Sequence, residues 1–279
     1  MEYLLIDNGS LQAGAYRNLQ AVAQALGMRL GVPVHPVSLL HSRKIDPAEL
    51  GGERAWTFEP FVRDRIAAGV RSFGILPFFF GPTGAITRYL PERLEALRAR
   101  HGPFAVSRAP FLFDADAALD RAVAKIVADN VRRCILGKGL RRPPVVLVDH
   151  GSPLAAVAYA RDYIAGQLSV LLSPEEVACV GAASMERREG AEYDFNEPLL
   201  ERRLRMEGYD AGDVVVAMLF LSPGRHAGPG GDVAEICSAA EADQHGLRCH
   251  MTDLVGTRPE VIDLLAARFA ALHSNPVHL

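Results

Sequence analysis

The chain has 279 residues, 49% of them hydrophobic, and its 30 Lys and Arg against 33 Asp and Glu give a formal net charge of −3. This length suits one large domain or two of roughly 140 residues, and the charge balance argues against a general nucleic-acid-binding protein, which usually carries a basic excess. We expect no membrane association, because no apolar run reaches the roughly 18 residues of a spanning helix and the N-terminus lacks the basic region of a signal peptide. The four cysteines are dispersed without a C-x-x-C pair, which predicts reduced thiols in a cytoplasmic protein.

Strands and helices alternate along the chain. Short apolar runs predict buried strands, and apolar residues at helical spacing predict helices. In chain order these are strand 4–7, helix 17–29, strand 73–80, helices 89–100 and 116–131, strand 145–149, helix 155–172, strand 214–221, and helices 233–241 and 259–272. Such alternation predicts the α/β class, with parallel sheets covered by helices on both faces.

The second half of the chain repeats the pattern of the first. Four segments recur in the same order at offsets of 138 to 143 residues, namely 3–10 with 145–152, 58–61 with 196–199, 76–82 with 217–223, and 119–120 with 262–263. The sequence therefore predicts two tandem domains, 1–136 and 144–279, joined by the Lys/Arg/Gly/Pro-rich stretch 137–144.

Two histidines of the second half follow equivalent strand ends. His150 comes directly after strand 145–149, and His226 follows strand 214–221 in a glycine-rich loop. Ligands of parallel α/β sheets lie beyond the carboxyl ends of the strands, so we expect both imidazoles in one crevice. Nitrogens more than about 10 Å apart could not bind one ion at bond lengths of about 2.1 Å. In the first half the offsets place Asn8 and Ala85 at these positions, so only the second half is predicted to carry the chemistry.

The neighbouring small residues allow two interpretations. Ser152 is either a nucleophile with His150 as its base or a cap of the helix near residue 155, and the absence of a G-x-S-x-G turn favours the cap. Gly230 and Gly231 either form a turn with Asp232 as the cap of the following helix or bring backbone amides to an anionic ligand. No dinucleotide or P-loop motif occurs, so no organic cofactor is predicted.

The segments around these residues resemble a known family. They are Val148-Asp149-His150-Gly151-Ser152, Ala183-Ser184-Met185-Glu186-Arg187 with Asn196-Glu197-Pro198-Leu199-Leu200-Glu201, and Leu219-Phe220-Leu221-Ser222-Pro223-Gly224-Arg225-His226. The chain is similar to class II tetrapyrrole chelatases, specifically the CbiX-type sirohydrochlorin chelatases in their long, tandem-domain form. The resemblance covers both halves and implies two chelatase-like α/β domains, with a degenerate first half.

The resemblance implies insertion of a divalent metal, Co²⁺ or Fe²⁺, into sirohydrochlorin during cobalamin or sirohaem biosynthesis. It implies that His150 and His226 are catalytic and bind the metal together with Glu186, although Glu189 and Glu197 are close in sequence. His41 would take the place of Glu186 in the first half.

The residues suit this chemistry. Imidazole and carboxylate bind Co²⁺, Fe²⁺ or Ni²⁺, and we take Co²⁺ as the first candidate for the metal substrate. Sirohydrochlorin carries eight carboxylates, so Arg187 and Arg225 are expected to bind it bidentately, with Ser152, Gly230 and Gly231 also in contact. Two alternatives stay open: a non-catalytic metal or tetrapyrrole carrier of the same fold, and a hydrolase that uses Ser152. The oligomeric state is not predicted.

Overall fold

Each strand that the hydrophobic pattern predicts is present in the structure, together with further strands and helices that the pattern does not predict. The computed structural model describes residues 1–113 and 120–279. In chain order the elements are β1 Glu2–Asp7, α1 Ala13–Leu30, β2 Val34–Ser38, α2 Phe58–Ala67, β3 Ser72–Pro77, α3 Leu90–His101, β4 Ala105–Arg108, α4 Ala122–Lys138, β5 Val145–Asp149, α5 Ala155–Leu171, β6 Val180–Ser184, α6 Leu200–Arg203, β7 Gly212–Met218, α7 Asp232–Asp243, β8 Leu247–Met251, α8 Glu260–Ser274 and β9 Val277–His278. No helix in these ranges is long and apolar enough to cross a membrane.

The chain forms two sheets with the same internal order. The first sheet runs β2-β1-β3-β4-β9 and the second β6-β5-β7-β8. All pairs are parallel except β4 with β9, which is antiparallel and makes the first sheet mixed. The central strands β1 and β5 are apolar and buried, as parallel strands covered on both faces must be. These observations confirm the predicted α/β class.

The strand registers support the interpretation that the two halves are copies. Ile6 of β1 pairs with Pro77 of β3, and Val148 of β5 pairs with Met218 of β7. These pairs reproduce the offsets of the first and third repeated segments. The second segment differs, because isolated bridges join Ser38 to Thr57 and Ser184 to Leu199. Thr57 is therefore equivalent to Leu199. The sequence match instead aligns residue 61 with residue 199, so the match of 58–61 with 196–199 is out of register.

The compact units of the chain differ from the predicted halves by an exchange of helices. One unit comprises Met1–Asp114 with Pro259–Leu279, and the other comprises Ala115–Arg258. In the first unit α8 packs against α1 and β3, and in the second unit α4 packs against α5 and β7. The predicted boundary at 137–144 thus lies inside the second unit, because each half contributes its last helix to the other unit.

The prediction for helix 116–131 can be compared with the structure only in part. Residues 116–119 lie outside the described ranges, and α4 begins at Ala122 and continues to Lys138. It therefore includes the start of the predicted linker. The remaining linker leads directly into β5.

A glycine brings the end of the central strand close to its neighbour in both sheets. Gly9 and Gly151 have φ values of +89° and +90°. A Cβ at these positions would lie 1.8 Å from the Leu40 carbonyl oxygen and 1.9 Å from that of Glu186. A side chain is excluded at both places on steric grounds, which requires glycine at the second position after each strand.

Candidate metal and tetrapyrrole site

The end of β5 places His150 beside Glu186. His150 is the first residue after the strand, and its carbonyl oxygen accepts the Glu186 amide at 3.1 Å. Its Nε2 atom lies 3.5 Å from Glu186 Oε1, and both side chains are about half exposed. His150 Nδ1 lies 3.0 Å from the Gly151 carbonyl oxygen, which acts as an acceptor. Nδ1 therefore carries the proton in the neutral ring, and Nε2 is left with its lone pair.

The loop after β7 brings the second imidazole against the first. The rings of His150 and His226 have centroids 4.5 Å apart and stand nearly perpendicular. His226 Nδ1 lies 2.5 Å from Asp232 Oδ2 at the start of α7. A carboxylate at Nδ1 fixes the proton there and leaves Nε2 as the free nitrogen. The two imidazoles are thus well within the roughly 10 Å limit for sharing one ion.

These side chains are neighbours but do not surround a common point. Within residues 1–113 and 120–279, no three or more His, Cys, Asp or Glu side chains are arranged to hold a metal ion. Two imidazoles with one adjacent carboxylate form an incomplete, solvent-accessible ligand set. Such a set can hold an ion loosely and leaves coordination positions for other donors.

The acidic residues near Glu186 have other roles in the structure. Glu197 accepts hydrogen bonds from Arg187 at 3.1 Å, from Arg202 at 3.0 Å and from the Leu199 amide at 3.0 Å. Glu189 lines a cavity with these arginines. Of the three predicted candidates, Glu186 is the carboxylate that the structure places beside an imidazole.

The two predicted substrate arginines differ in their freedom. Arg187 is largely buried and forms ion pairs with Asp194 and Glu197. Its guanidinium is therefore already neutralised, and binding a substrate carboxylate would require replacing those pairs. Arg225 is 78% exposed, and its Nε lies 3.8 Å from Asp232 Oδ2. Arg225 is the more available cation beside the imidazoles.

A cavity of about 650 Å³ opens next to this region in the second unit. Its lining combines cations, carboxylates and one apolar side chain, contributed by Arg187, Arg188, Glu189, Gly190, Asp194, Glu197, Leu199 and Arg202. The lining does not include His150 or His226, so the cavity lies beside the histidine pair and does not contain it.

Ser152 holds the strand-end loop together. Its Oγ accepts the Leu154 amide at 3.1 Å, and α5 begins at Ala155. The serine thus stabilises the turn ahead of the helix, two residues before the position where a capping side chain would stand. Its amide donates to Asn196 Oδ1 and its carbonyl oxygen accepts from Asn196 Nδ2, both at 2.9 Å. His150 makes its contacts with Gly151 and Glu186, which does not support Ser152 as its nucleophilic partner.

The glycine loop before α7 is bonded to itself. The Gly231 amide donates to the Gly228 carbonyl oxygen at 3.0 Å, and the Asp232 amide donates to the Arg225 carbonyl oxygen at 3.1 Å. Gly231 therefore does not offer its amide to an anion, contrary to one of the two interpretations. It is needed for space, because a Cβ would lie 2.5 Å from the Arg225 carbonyl oxygen. Gly230 has a φ of +69°, and its contact with substrate stays a prediction.

The first half differs from the second at the equivalent positions, and one sequence assignment is corrected. The Leu40 amide donates to the Asn8 carbonyl oxygen at 3.1 Å, as the Glu186 amide does to His150. Leu40, and not His41, is therefore the counterpart of Glu186. The sequence assignment is displaced by one residue because the connection from β1 to β2 is shorter than the connection from β5 to β6.

Asp232 contacts His226 in the structure, whereas the sequence indicates only a turn or helix-cap residue at this position. Its carboxylate contacts His226 instead of capping α7, whose N-cap is Gly231 without a side-chain hydrogen bond. An acidic residue in the first turn of a helix normally indicates only favourable interaction with the helix dipole. The sequence signal for this contact is that Asp232 follows His226 by six residues in the same glycine-rich loop.

Comparisons with known proteins give one family match and several structural likenesses. The CbiX family model matches residues 144–272, and no curated protein matches the sequence. Among solved structures, SirB from Bacillus subtilis with Fe³⁺ is similar at 15% identity and a TM-score of 0.69, covering 99% of this chain and 97% of that one. SirB from Bacillus subtilis subspecies spizizenii, a sirohydrochlorin chelatase in complex with cobalt, gives 17% and 0.67, covering 99% and 97%. CbiX, described as the terminal enzyme for siroheme biosynthesis in denitrifying bacteria, gives 16% and 0.61, covering 97% and 99%. These likenesses confirm the fold.

Proposed function

We propose that the protein is a sirohydrochlorin chelatase of the CbiX family, whose model matches residues 144–272, and that it inserts a divalent metal into its tetrapyrrole substrate. Co²⁺ and Fe²⁺ are the proposed metal substrates. The similar SirB structures hold cobalt and Fe³⁺, which agrees with a site that accepts either element. The product would enter cobalamin or sirohaem biosynthesis.

The observation that carries the proposal is the contact between His150 and His226, whose ring centroids lie 4.5 Å apart. Both rings hold their Nδ1 atoms toward oxygen acceptors, so both can present Nε2 to one ion. Two imidazoles that pack against each other at a partly exposed loop edge, without a ligand, contribute little to stability. Their juxtaposition is explained by a shared metal.

Metal insertion requires weak protein ligation and a path for two pyrrole protons. His150, His226 and Glu186 would hold the incoming ion through three donors at most, and the tetrapyrrole nitrogens would supply the remaining positions. A neutral imidazole that is free of the metal can accept a pyrrole proton as a general base. Arg225 would bind a peripheral carboxylate of the substrate through charge-assisted hydrogen bonds.

The test is a metal-insertion assay with sirohydrochlorin and Co²⁺ or Fe²⁺, in which insertion is measured by the change in the visible absorption spectrum. Protein is added at about one hundredth of the substrate concentration, so that many turnovers per chain are needed for a full spectral change. We expect insertion to go to completion faster than the reaction without protein.

The same assay separates catalysis from carriage. A metal or tetrapyrrole carrier would bind its ligand in proportion to its own amount and would stop after one equivalent. That outcome would replace the chelatase proposal with the carrier proposal, and absence of binding to either ligand would contradict both.

A further inference from the structure

Arg161 of α5 is a charged side chain held almost entirely inside the second unit. It is 1% exposed and is among the largest fully buried side chains in the described chain. Its guanidinium donates to Ser184 Oγ, to the Phe195 carbonyl oxygen at 3.0 Å and to the Asn196 carbonyl oxygen at 3.3 Å. It also lies 3.8 Å from Asp149 Oδ1.

Arg161 also pairs with the neighbouring Asp162 at 2.8 Å, and two of its other partners lie within two residues of the candidate metal ligands. Asp149 is followed directly by His150, and Ser184 lies two residues before Glu186. Ser184 Oγ also donates to Asp149 Oδ1 at 2.6 Å, which ties the ends of β5 and β6 to each other through their side chains. Arg161 thus joins the two strand ends that carry the imidazole and the carboxylate.

The first unit shows that this fold does not require the arginine. Asp7 of β1 is the counterpart of Asp149, and the same offset of 142 residues places Leu19 at the position of Arg161. Leu19 is fully buried in α1. Asp7 Oδ1 is then buried without a hydrogen-bond partner in the described residues. The unit with a leucine here also lacks ligands at its strand ends, where Asn8 and Leu40 stand.

Burying a guanidinium is costly unless its donors are satisfied, and an apolar residue at the same place supports the same architecture. The arginine is therefore found in the unit that carries the proposed metal ligands, and the fold itself does not require it. We infer that Arg161 is a positioning residue that holds His150 and Glu186 at the spacing needed to bind the metal, an inference that rests on the proposed chelatase function.

The test measures Co²⁺ binding to the full chain in the absence of tetrapyrrole, by visible absorption of the bound ion. The variant Arg161→Leu introduces the residue that the first unit carries, and Arg161→Lys keeps the charge but loses the planar donor geometry. We expect the Co²⁺ Kd to rise 10- to 100-fold in Arg161→Leu, and to rise less in Arg161→Lys. The KM for sirohydrochlorin should change by less than about twofold, because the buried Arg161 is not accessible to the substrate carboxylates.

Arg203→Leu is the matched control, because Arg203 also donates to a β6 carbonyl oxygen, that of Ala182, at 3.0 Å. This control should lower the melting temperature and leave the Co²⁺ Kd unchanged. The inference is overturned by a folded Arg161→Leu protein with wild-type Co²⁺ affinity, by an equal loss of affinity in the control, or by failure of Arg161→Leu to fold. Failure of the wild-type chain to bind Co²⁺ would instead contradict the proposed function.

Discussion

His150 and His226 are the residues on which the proposed chemistry depends most directly. They occupy loops at the ends of β5 and β7, where side chains contribute little to the core. We expect His150→Ala and His226→Ala each to lose nearly all metal insertion while the melting temperature stays within a few degrees of wild type. Asn8→Ala is the matched control in the first unit and should keep most of the activity. Equal loss in the control would show that the site is not confined to the second unit.

Arg225 offers a second prediction at the level of single residues. Its guanidinium is exposed and close to His226 in sequence, whereas Arg187 is engaged by two carboxylates. A charge-assisted hydrogen bond is worth about 1.5–3 kcal/mol, so Arg225→Ala should raise the KM for sirohydrochlorin about tenfold or more. The effect should shrink at high salt.

The control for this substitution is Arg205→Ala. Arg205 is another exposed arginine of the second unit, and it pairs with Asp243 of α7 at 2.8 Å. Its loss should leave the KM unchanged. An Arg225→Ala variant with weakened Co²⁺ binding and a normal KM would assign the loop to the metal and not to the tetrapyrrole.

Asp7 makes the stability of the first unit depend on pH. Burial raises the pKa of its carboxyl from 3.8 to about 6, against hydrogen bonds from Ser38 and the Gly9 amide. The folded state therefore favours the protonated form, and the free energy of unfolding falls as the pH rises from about 4 to about 6. Two pKa units correspond to at most about 3 kcal/mol.

We expect Asp7→Asn to remove this fall and to raise the melting temperature at pH 8 while changing it little at pH 4.5. Thermal unfolding followed by circular dichroism at both pH values measures the effect. Asp64→Asn replaces an exposed carboxylate of α2 in the same unit and should leave the pH dependence as in wild type. If the wild-type chain instead gained stability between about pH 4 and 6, and Asp7→Asn abolished this gain, the prediction would be contradicted.

Among the elements, the central strands and their helices could be predicted from the sequence, but the flanking strands could not. β1, β3, β5 and β7 are apolar runs, and β5 has the predicted bounds. β2 contains Pro36, and β6 consists mainly of small residues. Neither shows the branched apolar pattern that indicates a strand. Their pairing is decided by neighbours distant in sequence.

In the candidate site, too, contacts between residues distant in sequence could be predicted only in part. His150 and His226 could be predicted to meet because both follow strand ends of one parallel sheet. The partners of Arg161 come from two strand ends and from the loop at residues 195–196, and no local pattern in α5 distinguishes a buried arginine from an exposed one. Contacts of this kind become visible only in the folded chain.

The exchanged helices provide a prediction at the scale of elements. Leu265 of α8 and Val131 of α4 are both fully buried, and each helix packs in the unit formed mainly by the other half of the chain. Truncating a buried leucine to alanine costs about 2–5 kcal/mol. Leu265→Ala should therefore speed amide hydrogen exchange in β1 and β3, and Val131→Ala should do so, to a smaller extent, in β5 and β7. Faster hydrogen exchange in the strands of the other unit would contradict this assignment of α8 and α4 to the two units.

For the whole molecule, the difference between the two sheets predicts how many metal ions one chain binds. The parallel strands of the two sheets follow the same order, but the first sheet carries Asn8 and Leu40 where the second carries His150 and Glu186. An amide and an alkyl side chain are poor ligands for Co²⁺ compared with imidazole and carboxylate. Two similar frameworks should therefore give a single binding site.

Titration of the wild-type chain with Co²⁺, followed by visible absorption or calorimetry, should reach an end point at one equivalent. The double variant His150→Ala/His226→Ala should show no saturable binding in the same range, because the first sheet carries Asn8 and Leu40 at the equivalent strand ends. The variant Asn8→Ala should retain the end point at one equivalent. A second equivalent in the wild type that survives in the double variant would place a metal site outside the second unit, and the contrast between the two sheets would then lose its functional meaning.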